Sequence, residues 1–280
     1  MSSSNADQIA YWNGPAGERW TREQAAIDRA FASLTTRLLE LASLRPGERV
    51  LDVGCGCGAT SLVAADAVGP TGAVVGVDVS GPMLARARER AAGRRHLSFL
   101  EADASAHSFG PSFDVVLSRL GVMFFRDPGV AFANLRAALR PGGRLAFLCW
   151  RPAADNEWVR VPCEAALQHV PADPTTGPEE PGPFSFGDAA RVERILRGAG
   201  FQSLAIEPFD TAIVLSDAGL GEAVEFAMTA GPTSRLLRDA PDDVKSRVRG
   251  ALQATLGPRL RGDHLALAGA TWLVHAVSAG

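Results

Sequence analysis

Short apolar runs alternate with longer amphipathic ones along the first half of this chain. Arg49–Val53, Ala73–Val77, His96–Leu100, Phe113–Leu117 and Arg144–Trp150 read as buried strands, brief and rich in valine and leucine. Between them, Ala59–Ala65, Pro82–Ala92 and Ala131–Leu139 have helical character. Strands alternating with helices predict a parallel α/β sheet with right-handed crossovers. Ahead of the first strand, Ile27, Phe31, Leu34, Leu38, Leu39 and Leu41 mark one helix over Glu23–Leu44, ended by Arg45-Pro46-Gly47. Residues 1–8 are polar and expected to fray. The stretch from Tyr11 to Trp20 carries large aromatics that must bury themselves. It reads either as a helix packed on the sheet or as a flap over a ligand.

The second half is less regular. Asn156–His169, Asp188–Ala199, Leu220–Leu237 and Asp242–Leu256 read as helices, Ser203–Leu215 as a sixth strand and Thr271–Val277 as the last. Pro171–Pro183 is too rich in proline to join helix or sheet and is expected to form a mobile loop. We divide the chain into a helical flap (1–44), a nucleotide-binding core (45–151), and a segment of cap helix, proline-rich loop and core helix (152–200). Strands six and seven (201–280) follow, with a helical insertion at 218–258.

The chemistry gathers around Val50-Leu51-Asp52-Val53-Gly54-Cys55-Gly56-Cys57-Gly58. Strand, glycine turn and helix make a nucleotide-sized notch at the carboxyl end of a first strand. Glycine lets a ligand lie against bare main chain. The dinucleotide fingerprint is G-x-G-x-x-G, whereas Gly54, Gly56 and Gly58 follow G-x-G-x-G. Asp52 precedes the loop, where an anion site gains nothing from a negative charge. A carboxylate without a cation suits a cationic ligand that lacks phosphate, and S-adenosylmethionine (SAM) is one.

At this stretch the chain resembles the class I SAM-dependent methyltransferases, and in particular the ubiquinone/menaquinone-biosynthesis-like (type 11) branch acting on small molecules. Asp78-Val79-Ser80-Gly81-Pro82-Met83-Leu84 is similar to the second motif of that family, and Leu139-Arg140-Pro141-Gly142-Gly143 to its loop before strand five. The resemblance is close over 45–151 and architectural beyond. It implies a Rossmann-like sheet of seven strands, mostly parallel with the last antiparallel between the fifth and sixth, under a helical cap. It also implies SAM as cofactor, held by Asp52, Gly54, Cys55, Gly56, Gly58, Asp78, Val79, Met83, Asp103, Ala104 and Ser118, with Trp20 in the flap.

Asp78 falls at the tip of the second strand, where a carboxylate accepts both ribose hydroxyls. It also reads as an N-cap, which Ser80 does better. In the family an acid at Asp103 accepts the adenine amino group and the next backbone N–H meets a ring nitrogen; a solvated turn is the plain alternative. Met83 either lies against adenine or packs. Family members that methylate nitrogens of nucleobases or glutamine carry asparagine-proline-proline-tyrosine after strand four. Ser118-Arg119-Leu120-Gly121 stands there in this chain, which weakens that reading.

For the acceptor, Tyr11, Arg119, Met123, Phe124, Trp150 and Trp158 are the candidate contacts, within an apolar set that adds Phe125, Phe184, Phe186, Phe226 and Met228. The candidate general bases are His107, His169 and Glu164. An acceptor that arrives ionised needs none. We therefore expect methyl transfer to oxygen, carbon or nitrogen of a small, largely apolar molecule. The alternatives are a SAM-binding cyclase of natural products and an inactive SAM-binding module.

Bulk properties narrow the field. The 280 residues are 46% apolar, with net charge −3 and pI about 6.0. No basic stretch supplies phosphate contacts, so nucleic acid is not the expected partner. Cys55, Cys57, Cys149 and Cys163 form neither a secreted disulfide framework nor a zinc pattern. The dispersed histidines make no metallohydrolase motif, no G-x-S-x-G elbow is present, and Tyr11 is the only tyrosine, which disfavours an NAD-dependent dehydrogenase. No metal is expected. No apolar run spans a bilayer and the first residues lack signal-peptide order, so a cytoplasmic monomer or homodimer is the expectation.

Overall fold

The computed structural model describes residues 5–171, 177 and 179–278. Four helices come first: α1 (Ala6–Asn13), α2 (Pro15–Arg22), α3 (Gln24–Ala30) and α4 (Ala32–Ala42). The core follows as β1 (Arg49–Val53), α5 (Ala59–Val68), β2 (Ala73–Asp78), α6 (Gly81–Arg90), β3 (Leu97–Glu101), β4 (Phe113–Arg119), α7 (Pro128–Ala138) and β5 (Leu139–Trp150). The rest is α8 (Glu157–Ala166), α9 (Ala189–Gly198), β6 (Phe201–Ser216), α10 (Leu220–Thr229), α11 (Gly231–Leu236), α12 (Asp242–Leu256) and β7 (Leu265–Ser278).

The seven strands form one sheet in the order β3-β2-β1-β4-β5-β7-β6. The first five are mutually parallel. β7 inserts antiparallel between β5 and β6. The strand order reverses between β1 and β4, which leaves a crevice at their carboxyl ends. β1 and β4 are buried along nearly their whole length, as strands covered on both faces must be. No described helix is long and apolar enough to cross a membrane.

Three expectations need correction. The helix over Glu23–Leu44 is two helices, broken at Phe31 (φ −106°, ψ 17°). The break buries the Phe31 ring against Trp150 and Trp158, with centroids 5.8 Å from each. A straight helix follows only its own period, and here tertiary burial decides. Leu220–Leu237 is likewise two helices, turned at Gly231, whose φ of +65° is open to glycine. Residues 5–8 do not fray. Asn5 is buried; it donates to Asp103 and accepts from the Arg126 N–H. Residues 1–4 lie outside the described residues, as do 172–176 and 178 of the proline-rich stretch. Its far end is fastened: the Gly182 N–H and the Ser185 hydroxyl both donate to Met123 O.

Candidate active site

A cavity of about 450 Å³ opens at the carboxyl ends of β1, β2 and β4, roofed by α1, α2 and α11. The glycine loop forms its floor. Gly54 turns with φ +68°, and its N–H and that of Cys55 both donate to Val77 O, so the loop hooks over β2. A Cβ on Gly54 would stand 2.7 Å from Gly121 Cα. That contact brings the loop after β1 against the segment after β4. Beside it Leu120 holds a φ of +66°, a conformation rare for a bulky residue and found where function or packing enforces it. Ser118 fixes the same junction, donating to Val53 O at 2.7 Å and accepting the Gly121 N–H.

Asp78 reaches the cavity with both oxygens engaged by main chain. Oδ2 accepts the Gly56 N–H at 2.8 Å and Oδ1 the Ser80 N–H at 2.9 Å. Burial, the largest cause, raises its pKa from the ordinary value, and these N–H groups oppose the shift. At the neighbouring strand tip, Asp103 accepts from the Ser105 N–H and hydroxyl and from Asn5. Val79, Met83 and Ala104 line the wall between them.

The opposite wall is aromatic. Phe31, Trp150 and Trp158 form one cluster, with Met123 beside them. Trp12 stands edge-on to Tyr11, Trp20 and Phe124 and forms a second cluster under the roof. Ser80 donates to Trp12 O at 2.7 Å, which ties the roof to the N-terminus of α6. The roof closes across α11 where Arg19 donates to Ser234 Oγ at 3.4 Å, and where the Arg238 guanidinium lies over the Tyr11 ring.

The comparisons with known proteins bear on this geometry. A methyltransferase domain family matches residues 50–143. Nocamycin O-methyltransferase of Saccharothrix syringae is 35% identical over 183 residues, 61% of this chain and 65% of that protein. Aklanonic acid methyltransferase DauC of Streptomyces sp. strain C5 is 36% identical over 150 residues, 50% of this chain and 68% of that one. The chain belongs to the class I SAM-dependent methyltransferases. The fold agrees: the YcgJ protein of Bacillus subtilis superposes with a TM-score of 0.58 at 17% identity, over 89% of this chain and 99% of that one.

The donor set fits the family's cofactor. SAM is a cation without phosphate, and the guanidinium that reaches the loop between Gly54 and Gly58, that of Arg90, donates to Cys57 O at 2.6 Å, is paired with Asp28 and stands off the cavity wall. Asp78 and Asp103 offer carboxylates to hydroxyl and amino groups. Behind the loop, Asp52 Oδ1 is buried with no hydrogen-bond donor among the described residues.

The cavity wall brings together most of the residues expected from the methyltransferase motifs: Gly54, Gly56, Asp78, Val79, Met83, Asp103, Ala104, Trp20, Tyr11, Arg119, Met123, Phe124, Trp150 and Trp158. Four lie behind it. Asp52 is buried, with Oδ2 bonded to the Ser61 hydroxyl at 2.5 Å. Cys55 turns inward, its thiol pushed well up by burial. Gly58 starts α5, and Ser118 binds the two strand tips. These four shape the loop from below. Of the wider apolar set, Phe125 and Phe184 line the cavity, while Phe186 and Phe226 are core; Met228 is also off the wall.

The three candidate bases are misplaced. His107 is exposed, its ring 4.8 Å from Phe109, because the turn after Asp103 points it outward. Glu164 is paired with Arg160 on the wet face of α8. His169 follows that helix, also off the wall. Sequence reasoning missed Asn5, Trp12, Arg19 and Phe31. Trp12 and Arg19 carried a usable signal, since both sit inside the aromatic leader. Gly121, following a strand, was a further sign of close approach.

Proposed function

We propose that this methyltransferase moves the methyl group of SAM to oxygen or carbon of a small, largely apolar organic molecule of the secondary-metabolite or quinone type. The observation that carries this reading is one continuous cavity, lined at one end by Asp78, Gly56 and Asp103 and at the other by Phe31, Trp150 and Trp158. Two relatives named for nocamycin and aklanonic acid support an acceptor of that size. Net charge −3 favours a free small molecule over a nucleic acid.

In this reading Asp78 accepts the ribose hydroxyls. Asp103 takes the adenine amino group, the Ala104 N–H meets a ring nitrogen, and Val79 and Met83 flank the base. Gly54 and Gly56 leave bare main chain for the methionine portion, with Trp20 above. Tyr11, Met123, Phe124, Trp150 and Trp158 surround the acceptor. The helices of 1–44 and of the 218–258 insertion close over the 45–151 core. The bound sulfonium supplies a methyl group already reactive toward a nucleophile. What the chain adds is alignment and exclusion of water, together worth several kcal/mol of barrier.

Mass spectrometry decides. Phenolic, carboxylate and isoprenoid compounds are incubated with labelled SAM, and one compound class should gain a single methyl. Turnover of a compound without that gain would place the chain with enzymes that hold the cofactor as a fixture. Absence of SAM and S-adenosylhomocysteine binding by calorimetry would remove the reading altogether.

A further inference from the structure

Asn13, the last residue of α1, reaches across 66 residues of chain to the turn between β2 and α6. Its Nδ2 donates to Val79 O at 2.7 Å and to Ile9 O at 3.0 Å, and its Oδ1 accepts the Gly81 N–H at 2.9 Å. Both amide protons and the carbonyl are in use. Beside it the buried Ser80 hydroxyl donates to Trp12 O instead of capping α6. Gly17 makes room for this contact, since a Cβ there would collide with Trp12 O and Ser80 Oγ.

Val79 O and the Ser80 N–H are the two ends of one peptide unit. Asn13 donates to the oxygen, and the N–H donates to Asp78 Oδ1 at 2.9 Å. Asn13 and Asp78 therefore lie on one chain of hydrogen bonds, from amide to peptide to carboxylate. Each link of such a chain polarises the next, so a donor on the oxygen strengthens the N–H at the far end. The pin at Val79 O also sets the plane of the peptide, and with it the direction from which Asp78 is held. Oδ2 takes the Gly56 N–H from the other side. A carboxylate braced from both sides presents its remaining lone pairs in fixed directions.

Neither burial nor capping accounts for the carboxamide. Asn13 is exposed. A cap on α6 needs only an acceptor for the Gly81 N–H, and an aspartate at a helix N-terminus supplies one with a favourable charge. What an aspartate lacks is an N–H for Val79 O.

We propose that Asn13 is a positioning residue for the cofactor: acting through the Val79–Ser80 peptide, it aims the Asp78 carboxylate at the ribose. That role rests on Asp78 accepting the ribose hydroxyls, as read above. Asn13 itself stands off the cavity wall. The first helix thus belongs to the cofactor site without touching the cofactor. It serves the other end of the cavity too, because Trp12, one residue back, sets its ring against Tyr11, Trp20 and Phe124.

S-adenosylhomocysteine and its 2′-deoxy analogue differ by one ribose hydroxyl. Titrated by calorimetry into the full chain, the first should bind about tenfold more tightly than the second. Asn13→Ala should cut that preference to about threefold or less. Asn13→Asp should cut it as far, since a carboxylate facing Val79 O repels it even though α6 keeps its cap. This second variant also decides the matter should Asn13→Ala not fold. Loss of affinity for both ligands by the same factor, with the preference intact, overturns the proposal and leaves Asn13 as a fastener of the roof. An Asn13→Asp protein that keeps the parent's preference overturns it too, by reducing Asn13 to a helix cap. A parent protein without any preference removes the ribose role of Asp78, and the proposal with it. In all these cases methyl transfer itself stands; it falls only if the parent protein binds no S-adenosylhomocysteine.

Discussion

Asp78 accepts the backbone N–H of Gly56 at 2.8 Å, so the acid at the tip of β2 holds the glycine loop in place. The same carboxylate takes the Ser80 N–H at the start of α6. An ionised carboxylate offers about four acceptor sites, and two remain for a ligand's hydroxyls. Removing it therefore strikes twice, at the loop and at the ribose.

Asp78→Ala should weaken SAM binding by about 2–3 kcal/mol, since hydrogen bonds to a charged acceptor are each worth about 1.5–3 kcal/mol and some are remade to water. Calorimetry with SAM and S-adenosylhomocysteine measures it. The melting temperature without ligand should fall as well, because the Gly56 and Ser80 N–H groups lose their acceptor. An unchanged affinity would remove the ribose role and leave Asp78 as a brace for the loop.

Gly54 and Gly56 should respond differently to alanine. At Gly54 the new Cβ meets Gly121 Cα at 2.7 Å, main chain against main chain. At Gly56 the nearest atom is Met83 Sδ at 3.7 Å, and only the positive φ of +52° resists. That conformation costs roughly 1–2 kcal/mol for a residue with a Cβ. Gly54→Ala adds overpacking of about 1–3 kcal/mol to a similar strain. Thermal melting should thus rank Gly54→Ala as the more damaging. The reverse order would mean that the two loops are not held together by this contact.

The strands and the glycine loop were legible because their signals are local. Valine-rich runs, a glycine turn and an acid at the next strand tip need nothing beyond their own neighbourhoods. What escaped was decided at a distance. Asn5 meets Asp103 across 98 residues of chain, so a polar leader that looks frayed is pinned. Phe31 sits in a clean helical pattern and breaks it to reach Trp150 and Trp158. Asp52 and Ser118 stand near the carboxyl ends of β1 and β4 yet lie off the cavity wall, since direction depends on strand register and twist rather than spacing. His107 was drawn in by closeness to Asp103 along the chain, but one tight turn is enough to reverse a side chain.

Asp52 gives a pH test. Burial, the largest cause, pushes its pKa up from 3.8 to about 7, against the Ser61 hydroxyl and the Arg119 charge. Between about pH 4 and 7 the folded protein then keeps a proton that the unfolded chain has lost. Stability from this group is full below about pH 4 and fades as pH rises through 7. Asp52→Asn is neutral throughout. Its stability relative to the parent should grow from about pH 4 to 7, by an amount on the order of 4 kcal/mol at most, and stay constant above. Denaturant melts of both proteins across that range measure the difference, in which all other groups cancel. A difference that shrinks with rising pH would show Asp52 ionised and paired in the folded state.

His107, His169 and Glu164 are the groups whose chemistry best suits a general base. His107 packs on Phe109 at the surface, Glu164 is held by Arg160, and His169 lies off the cavity wall. A base must come within hydrogen-bond reach of the proton it removes, directly or through one water. Replacement of His107 or His169 by alanine, or of Glu164 by glutamine, should leave the single-turnover rate within about threefold of the parent at saturating SAM. Loss of a working base would lower it by roughly 10²–10⁴-fold. The rate is read by rapid quench, using the acceptor found by the labelled-SAM screen. A hundredfold loss in any one variant, with S-adenosylhomocysteine affinity intact, would require the cap to swing that residue inward during turnover. Base-free displacement would then give way to proton transfer by a moving group. Rates that hold in all three variants leave positioning as what the chain contributes to catalysis.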